Sequence, residues 1–285
     1  MGILESKTIV VTGGSMGIGL AIAKKCAEEG AKVIIAARNE DDLKNAVDKL
    51  KQISIKAHNF FSLDVCRIDE VKKFAEWCKE NNSQINGLVN CAGIYGPIGK
   101  TTEIDLEKFV EAININFLGT VYMCSIFAPL IKSETRKKII NYSGGGGASP
   151  FANYSAYATS KAAIVRFTEN LSIELAEDNF DINCIAPGFV TTRLHQQTLA
   201  VGGKKAGDSF YENTKKQIET GGVPPEKAAD LTAYLLSDES NGVTGKFISA
   251  PWDNWNDKEF QELLRNDKDF ATLRRIDNKT FFKKS

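Results

Sequence analysis

Short apolar runs rich in β-branched residues alternate with amphipathic segments along most of the chain. The run KTIVVTG at 7–13 is continuously apolar at its centre, which predicts a strand buried on both faces. Similar runs predict strands over 32–38, 58–65, 85–93, 137–144, 180–188 and 244–250. Between them a 3.6-residue period predicts helices over 17–29, 40–52, 67–80, 105–132 (interrupted late by Pro129) and 155–178. In the first of these, Ile18, Ala21, Ile22 and Cys26 share one face. Regular strand–helix alternation predicts an α/β fold: a doubly wound parallel sheet of seven strands, helices on both faces, right-handed crossovers. Residues 193–222 form an insertion and 251–285 an extension that packs on the domain or on a partner subunit. No repeat and no linker-like shift divides the chain, so residues 1–250 read as a single domain.

Composition narrows the class. The chain has 285 residues, 42% of them hydrophobic, enough for one large domain with a well-buried core. Lysine plus arginine and aspartate plus glutamate both total 36, so a balanced surface offers no electrostatic reason to expect nucleic acid or an anionic membrane as partner. Zero net charge fits a homo-oligomer. No stretch reaches the roughly 18 consecutive apolar residues of a membrane span. MGILESKTIVVTGG enters a strand at once and lacks the pattern of a secretory signal, so a cytoplasmic location is expected. Gly2 and Ser6 formally fit a myristoylation pattern, which we read as a chance match. Six scattered cysteines (Cys26, Cys66, Cys78, Cys91, Cys124, Cys184) show no metal-ligand spacing and read as reduced, mostly buried thiols; no metal is expected.

The chemistry begins at the first strand–helix junction, Thr12-Gly13-Gly14-Ser15-Met16-Gly17-Ile18-Gly19. Glycines at 13, 17 and 19 allow a sharp turn, a close approach to a pyrophosphate and tight helix packing. The helix start then offers free N–H groups and the positive end of its dipole to phosphates. A dinucleotide site is the reading.

TGxxxGIG has the spacing found in the short-chain dehydrogenase/reductase family, which the chain resembles from about residue 6 to 250. Further segments match in order. Asp64-Val65 resembles the pair that contacts adenine, and Asn90-Cys91-Ala92-Gly93 the segment closing strand four. Asn116-Phe117-Leu118-Gly119 resembles the family's helix-borne asparagine motif, Tyr157-Ala158-Thr159-Ser160-Lys161 its YxxxK motif, and Pro187-Gly188-Phe189-Val190-Thr191-Thr192 its PGxVxT loop. The resemblance implies a Rossmann-type fold and an NAD(P)-dependent oxidoreductase moving a hydride between nicotinamide C4 and a carbonyl or alcohol. It also implies a homodimer or homotetramer, a small-molecule substrate, and cofactor contacts through the glycine loop, Asp64, Val65, Asn90, Ala92, Gly93, Tyr157, Lys161, Pro187, Gly188, Val190 and Thr192.

Strand two ends in Ala36-Ala37-Arg38-Asn39, without the carboxylate that would bind ribose hydroxyls and repel a 2′-phosphate. A guanidinium pairs with phosphate, so NADP(H) is expected, with NAD(H) the alternative if Arg38 stacks on adenine.

Tyr157 and Lys161 lie four apart on a helix and so share a face. A nearby ammonium is expected to lower the phenol's pKa and fit it for acid–base work. By resemblance Lys161 also holds the nicotinamide ribose, and Asn116 holds a water and the backbone that connect Lys161 to solvent. The family serine falls thirteen residues before the tyrosine, and here that position is Gly144. Ser143, one residue early, points to the opposite strand face in a regular strand. Three readings follow: a glycine bulge brings Ser143 or nearby amides to the substrate; Ser149, Asn153 or Ser155 supplies the hydrogen bond; or the protein keeps its cofactor but has lost turnover. In the third, it is a regulatory or structural NADP(H)-binding protein.

The insertion at 193–222 is where the family places a mobile substrate lid, with Gly202, Gly203 and Gly207 as hinges. His195 in it reads as solvated, with substrate contact the sharper alternative; Lys204 and Lys205 could draw an anionic group. Trp252 and Trp255 are expected either to pack in the tail or to wall the site and stack on a sugar or nucleotide-sugar keto group.

Overall fold

The computed structural model describes residues 2–81 and 84–275. Its centre is one all-parallel sheet: β1 (Thr8–Thr12), β2 (Lys32–Ala37), β3 (Asn59–Ser62), β4 (Gly87–Asn90), β5 (Lys137–Tyr142), β6 (Phe180–Ala186) and β7 (Phe247–Ser249), in the order β3-β2-β1-β4-β5-β6-β7. The seven expected strands are present, each shorter than its apolar run. Successive residues serve opposite faces, as the pleat requires. Ile9 and Val11 join one apolar layer, and Val10 joins the other.

On the first face lie α1 (Gly17–Glu28), α2 (Glu40–Ile53) and α10 (Pro225–Leu236); on the second lie α3 (Ile68–Asn81) and a long composite helix. That helix is α4 (Leu106–Ile113), a π-helical turn over Asn114–Leu118, α5 (Gly119–Phe127) and a closing 3-10 turn at Ala128–Leu130, which contains Pro129. By length and composition Leu106–Leu130 could cross a membrane, an exception to the expectation from apolar runs. Its buried side, carrying Ile115, Met123, Cys124 and Phe127, packs in the core. Burying each such apolar side chain contributes about 1.5–3 kcal/mol. Helix α6 (Ser155–Glu174) runs beside α4. Helix α10 was not foreseen; it is buried on most of its circumference and packs along α1.

The insertion folds as three helices, α7 (Arg193–Val201), α8 (Gly203–Ala206) and α9 (Asp208–Glu219). The extension adds α11 (Lys258–Asn266), whose Leu264 enters the first layer, and a final strap. The strap's Ala271 carbonyl accepts the Phe247 amide at the free edge of β7 (2.7 Å). Arg274 then pairs with Glu169 of α6 (3.2 Å). Phe281 and Phe282 lie outside the described residues.

Candidate active site

The order of strands reverses between β1 and β4, and the crevice beyond their carboxyl ends is where such sheets bind ligands. Thr12 locks this junction. Its hydroxyl accepts the amides of Cys91 (3.1 Å) and Ala92 (3.3 Å), tying the exit of β4 to the glycine loop. Gly13 has φ of 68°, and a Cβ there would meet the Ala92 backbone at 3.0 Å. Gly19 packs so tightly on Gly13 that any side chain would collide with the loop carbonyl. Helix α1 has no side-chain cap and no acid in its first turn, so its leading amides and dipole stay available to an anion.

Above the junction opens a cleft of about 990 Å³. Of the predicted cofactor residues, Gly13, Ser15, Met16, Gly17, Ile18, Gly19, Arg38, Asp64, Val65, Ala92, Gly93 and Thr192 line it. Arg38 is exposed at the mouth, joined by Asp42, Asn45 and Lys49 along one face of α2. Those three were missed, although their i, i+3, i+7 spacing marks a shared helix face. Arg193, Leu194, Gln196 and Gln197 of α7 form the opposite wall. A cleft of this size, glycine-floored and ending at an uncapped helix, fits a dinucleotide.

Asn90, predicted on this surface, lies one layer below. Its amide donates to Asn141 Oδ1 (2.9 Å), and its own Oδ1 is buried without a partner. Tyr157, Lys161, Pro187, Gly188 and Val190 also stand back from the cleft wall. Gly188, at φ of 78°, fits only because it has no side chain to strike Pro251.

Asn116 sits at the centre of the π-helical turn, where the Gly119 amide reaches back five residues to the Asn114 carbonyl. Its side chain accepts the Ile94 amide (2.8 Å) and donates to the Ile94 carbonyl (2.9 Å) and Ser160 Oγ (2.9 Å). Ser160 in turn donates to the Tyr157 carbonyl (2.7 Å). Asn116 thereby pins the loop after β4 to the turn of α6 that carries Tyr157. Such an inserted turn is a frequent mark of a functional site.

Tyr157 and Lys161 are both buried, with the Lys161 ammonium 5.5 Å from the Tyr157 ring centre. Lys161 Nζ donates to the Tyr142 carbonyl (2.8 Å), and a Cβ at Gly93 would lie 3.4 Å from it. Lys161 thus stands directly behind the floor of the cleft. Burial pushes the Tyr157 phenol well above its usual value and the Lys161 amine below its own. The expected lowering of the phenol by the ammonium is not what the fold gives: burial, with Cys91 nearby, raises it instead.

The glycine run makes a turn rather than a bulge, with the Gly147 amide donating to the Gly144 carbonyl (3.0 Å). Ser143 stays in register, its amide on the Ile185 carbonyl (2.9 Å). Its buried hydroxyl donates to the Lys161 carbonyl (3.1 Å), bracing α6. Gly144 itself meets the phenol: a side chain there would overlap the Tyr157 hydroxyl. Among the other candidates, Ser149 is exposed and Ser155 accepts from Thr101 (2.9 Å). Asn153 holds a left-handed backbone (φ 67°) with its amide beside Gly207 of the lid.

Tyr157 is ringed by aromatic side chains that the sequence did not flag. Tyr95 meets it edge-on at 4.8 Å, and Phe151 stacks on Tyr154 at 4.3 Å. From the lid side come Phe210, 4.8 Å from Phe151, and His195, which lies on Phe189 at 3.8 Å. His195 is buried rather than solvated; its Nδ1 lies 3.4 Å from the Thr192 amide at the start of α7, and burial lowers its pKa to about 4. Lys204 and Lys205 are exposed on α8. Trp252 and Trp255 do not wall this site. Trp255 packs on Tyr234 (5.8 Å) and donates to the Ala250 carbonyl (3.2 Å), while Trp252 is 78% exposed. The reason for expecting a sugar goes with them.

Residues 7–200 match the family model described as short chain dehydrogenase. The chain belongs to the short-chain dehydrogenase family. It is 34% identical over 251 residues to the uncharacterized oxidoreductase YxbG of Bacillus subtilis (strain 168), covering 88% of this chain and 91% of that one. It is likewise 34% identical over 252 residues to the 3-oxoacyl-[acyl-carrier-protein] reductase FabG of Chlamydia trachomatis, covering 87% and 97%. A short chain dehydrogenase from Shigella flexneri 2a str. 301 in complex with NADP superposes with a TM-score of 0.76 at 26% identity, covering 87% and 98%. The short-chain dehydrogenase described here is an oxidoreductase of CH–OH and C=O groups on a Rossmann-type fold, in a family whose members bind NAD(P).

Proposed function

We propose that this protein is an NADP(H)-dependent carbonyl reductase in which Tyr157 gives the proton. The observation that carries the reading is the buried Tyr157 phenol, with Lys161 5.5 Å from its ring centre, set just behind a glycine-floored cleft. The bound nicotinamide supplies a hydride at C4. Tyr157 donates its hydroxyl proton to the substrate oxygen as charge develops there, which requires the phenol to be protonated beforehand. Burial favours that protonated state. Lys161, when charged, steadies the phenolate left behind, and its bond to the Tyr142 carbonyl fixes the ammonium in place. Asn116 positions both through Ile94 and Ser160.

With no serine at 144, we assign orientation of the substrate oxygen to the backbone N–H groups of Gly144, Gly145 and Gly146, in the turn whose first residue lies against the phenol and whose Gly147 amide is taken by the Gly144 carbonyl. Gly144 then marks an altered site rather than a dead one. Arg38 and Lys49 bring positive charge to the adenosine end of the cleft and support the 2′-phosphorylated cofactor. The test is to follow nicotinamide absorbance with NADPH and a panel of ketones and aldehydes. Turnover that disappears in Tyr157→Phe supports the reading. NADPH binding without turnover on any carbonyl class would assign a cofactor-binding role instead.

A further inference from the structure

We infer that His195 is a positioning residue for hydride transfer, its imidazole clipping the loop at the cofactor cleft to the ring that buttresses Tyr157. The inference rests on the proposed roles of the cleft and of Tyr157.

The loop between β6 and α7, residues 187–192, has no helix or strand of its own. Thr191 and Thr192 nevertheless line the cleft. Thr192 comes up against the glycine loop, since a Cβ at Gly17 would lie 3.5 Å from its methyl group. A cofactor seated on the glycine loop therefore meets this segment, and the segment's placement bears on where the nicotinamide comes to rest.

His195 holds the loop from inside the fold. It is the third residue of α7 and completes a capping box: the Thr192 hydroxyl accepts the His195 amide, and the Thr192 amide donates to His195 Nδ1 (3.4 Å). Such boxes are ordinarily closed by glutamate or glutamine. An imidazole adds what those lack, two flat faces that can pack. An imidazole accepting at Nδ1 carries its proton on Nε2, and burial keeps it in that neutral form. A backbone hydrogen bond with Val190 adds a second polar tie to the same loop.

The ring contacts lead from the loop to the phenol. Phe189 lies on the imidazole at 3.8 Å, and Tyr95 meets it edge-on at 5.9 Å. Tyr95 in turn stands edge-on to Tyr157 at 4.8 Å. One buried side chain thus touches both the loop at the cleft and the ring against the proton donor.

That linkage matters because two transfers converge on one carbonyl. The carbon takes a hydride, with its two electrons, from C4 of the reduced nicotinamide, and the oxygen takes the Tyr157 proton. The products are an alcohol, the oxidised cofactor and a phenolate that reprotonates from solvent. A misplacement of about 1 Å between the partners can cost about 10²-fold in rate. Cofactor affinity comes mainly from phosphates at the uncapped start of α1, so His195 governs placement rather than affinity. A plain helix cap would govern stability alone.

The test exploits the fluorescence of the reduced nicotinamide and uses the full chain loaded with NADPH. His195→Leu keeps apolar volume and helix propensity but removes the acceptor and the ring. His195→Gln restores an acceptor of the kind that capping boxes favour. We expect both variants to bind NADPH as tightly as wild type. In His195→Leu the emission lifetime of bound NADPH should shorten towards that of free NADPH. Single-turnover hydride transfer to ethyl acetoacetate should slow by about tenfold or more. The slowed step should carry a deuterium isotope effect when NADPH is labelled at the transferred position. His195→Gln should recover part of both losses. If His195→Leu does not fold, Phe189→Leu, which removes the ring packed on the imidazole, should give the same shortening. An unchanged lifetime or a wild-type transfer rate in folded His195→Leu overturns the inference, as does a rate loss matched by lost NADPH affinity. If wild type reduces no ketone, or Tyr157→Phe is as fast as wild type, while the lifetimes divide as expected, the proton-donor reading fails and the clip stands.

Discussion

A side chain at position 144 would occupy the space of the Tyr157 hydroxyl, because the phenol rests directly on the Gly144 backbone. The ring cannot easily retreat, with Tyr95 at 4.8 Å on one side and Phe151 at 6.5 Å on another. Restoring the family serine by Gly144→Ser should therefore lower kcat/KM, by about tenfold or about 1.4 kcal/mol, instead of raising it. Gly144→Ala, which adds bulk without a hydroxyl, should do the same. Steady-state kinetics on both variants decide the point, and a rise in activity with serine would mean that the phenol does not work from this position.

Arg38 and Lys49 predict the cofactor preference. Replacing Arg38 with alanine removes a fork-shaped donor from the cleft mouth without touching the core. NADPH affinity should fall by about tenfold or more, the worth of one charge-assisted contact, while NADH affinity changes little. Fluorescence titration of both cofactors gives the ratio directly. An unchanged ratio would move the 2′-phosphate contact elsewhere.

Asn116 predicts coupled losses. Asn116→Leu strips partners from the Ile94 amide and carbonyl and from Ser160, leaving buried groups unsatisfied at about 1–3 kcal/mol each. Melting temperature should drop, and turnover should fall more than cofactor affinity, because the turn carrying Tyr157 loosens. A variant as stable and active as wild type would remove Asn116 from the positioning role.

The two histidines predict an acid-sensitive fold. Burial lowers the pKa of both His58 and His195, the latter to about 4. A depressed histidine is neutral in the fold, so the unfolded chain takes up protons first as pH drops below about 6.5. Stability is full above that value and declines between it and about pH 4, with His195 alone accounting for about 3 kcal/mol across the window. Melting curves from pH 7.5 to 4.5 should slope less steeply in His195→Gln. Equal slopes would show that His195 does not titrate in the unfolding equilibrium.

Much of this was legible beforehand. The strand–helix alternation, the glycine loop and the four-residue spacing of Tyr157 and Lys161 are local patterns, and local periodicity reads directly from a chain. Helix α10 escaped because it is buried nearly all round, which blurs the one-sided stripe that marks a surface helix. The aromatic girdle escaped for a different reason. Tyr95, Phe151 and Phe210 are far apart in sequence, and only the fold brings them together. The tryptophans misled because their chemistry suits a sugar wherever they sit; Trp255 is bound to Tyr234 instead. The missing serine was seen correctly as Gly144, but that the phenol fills the vacated space is a fact of packing.

The central claim is that Tyr157 delivers the proton. Its most direct measurement is single-turnover oxidation of bound NADPH by a ketone substrate in wild type and Tyr157→Phe. The variant should bind NADPH with unchanged affinity and reduce the ketone about 10²–10⁴-fold more slowly, the usual worth of a general acid. A Tyr157→Phe protein that oxidises NADPH at the wild-type rate would contradict the account.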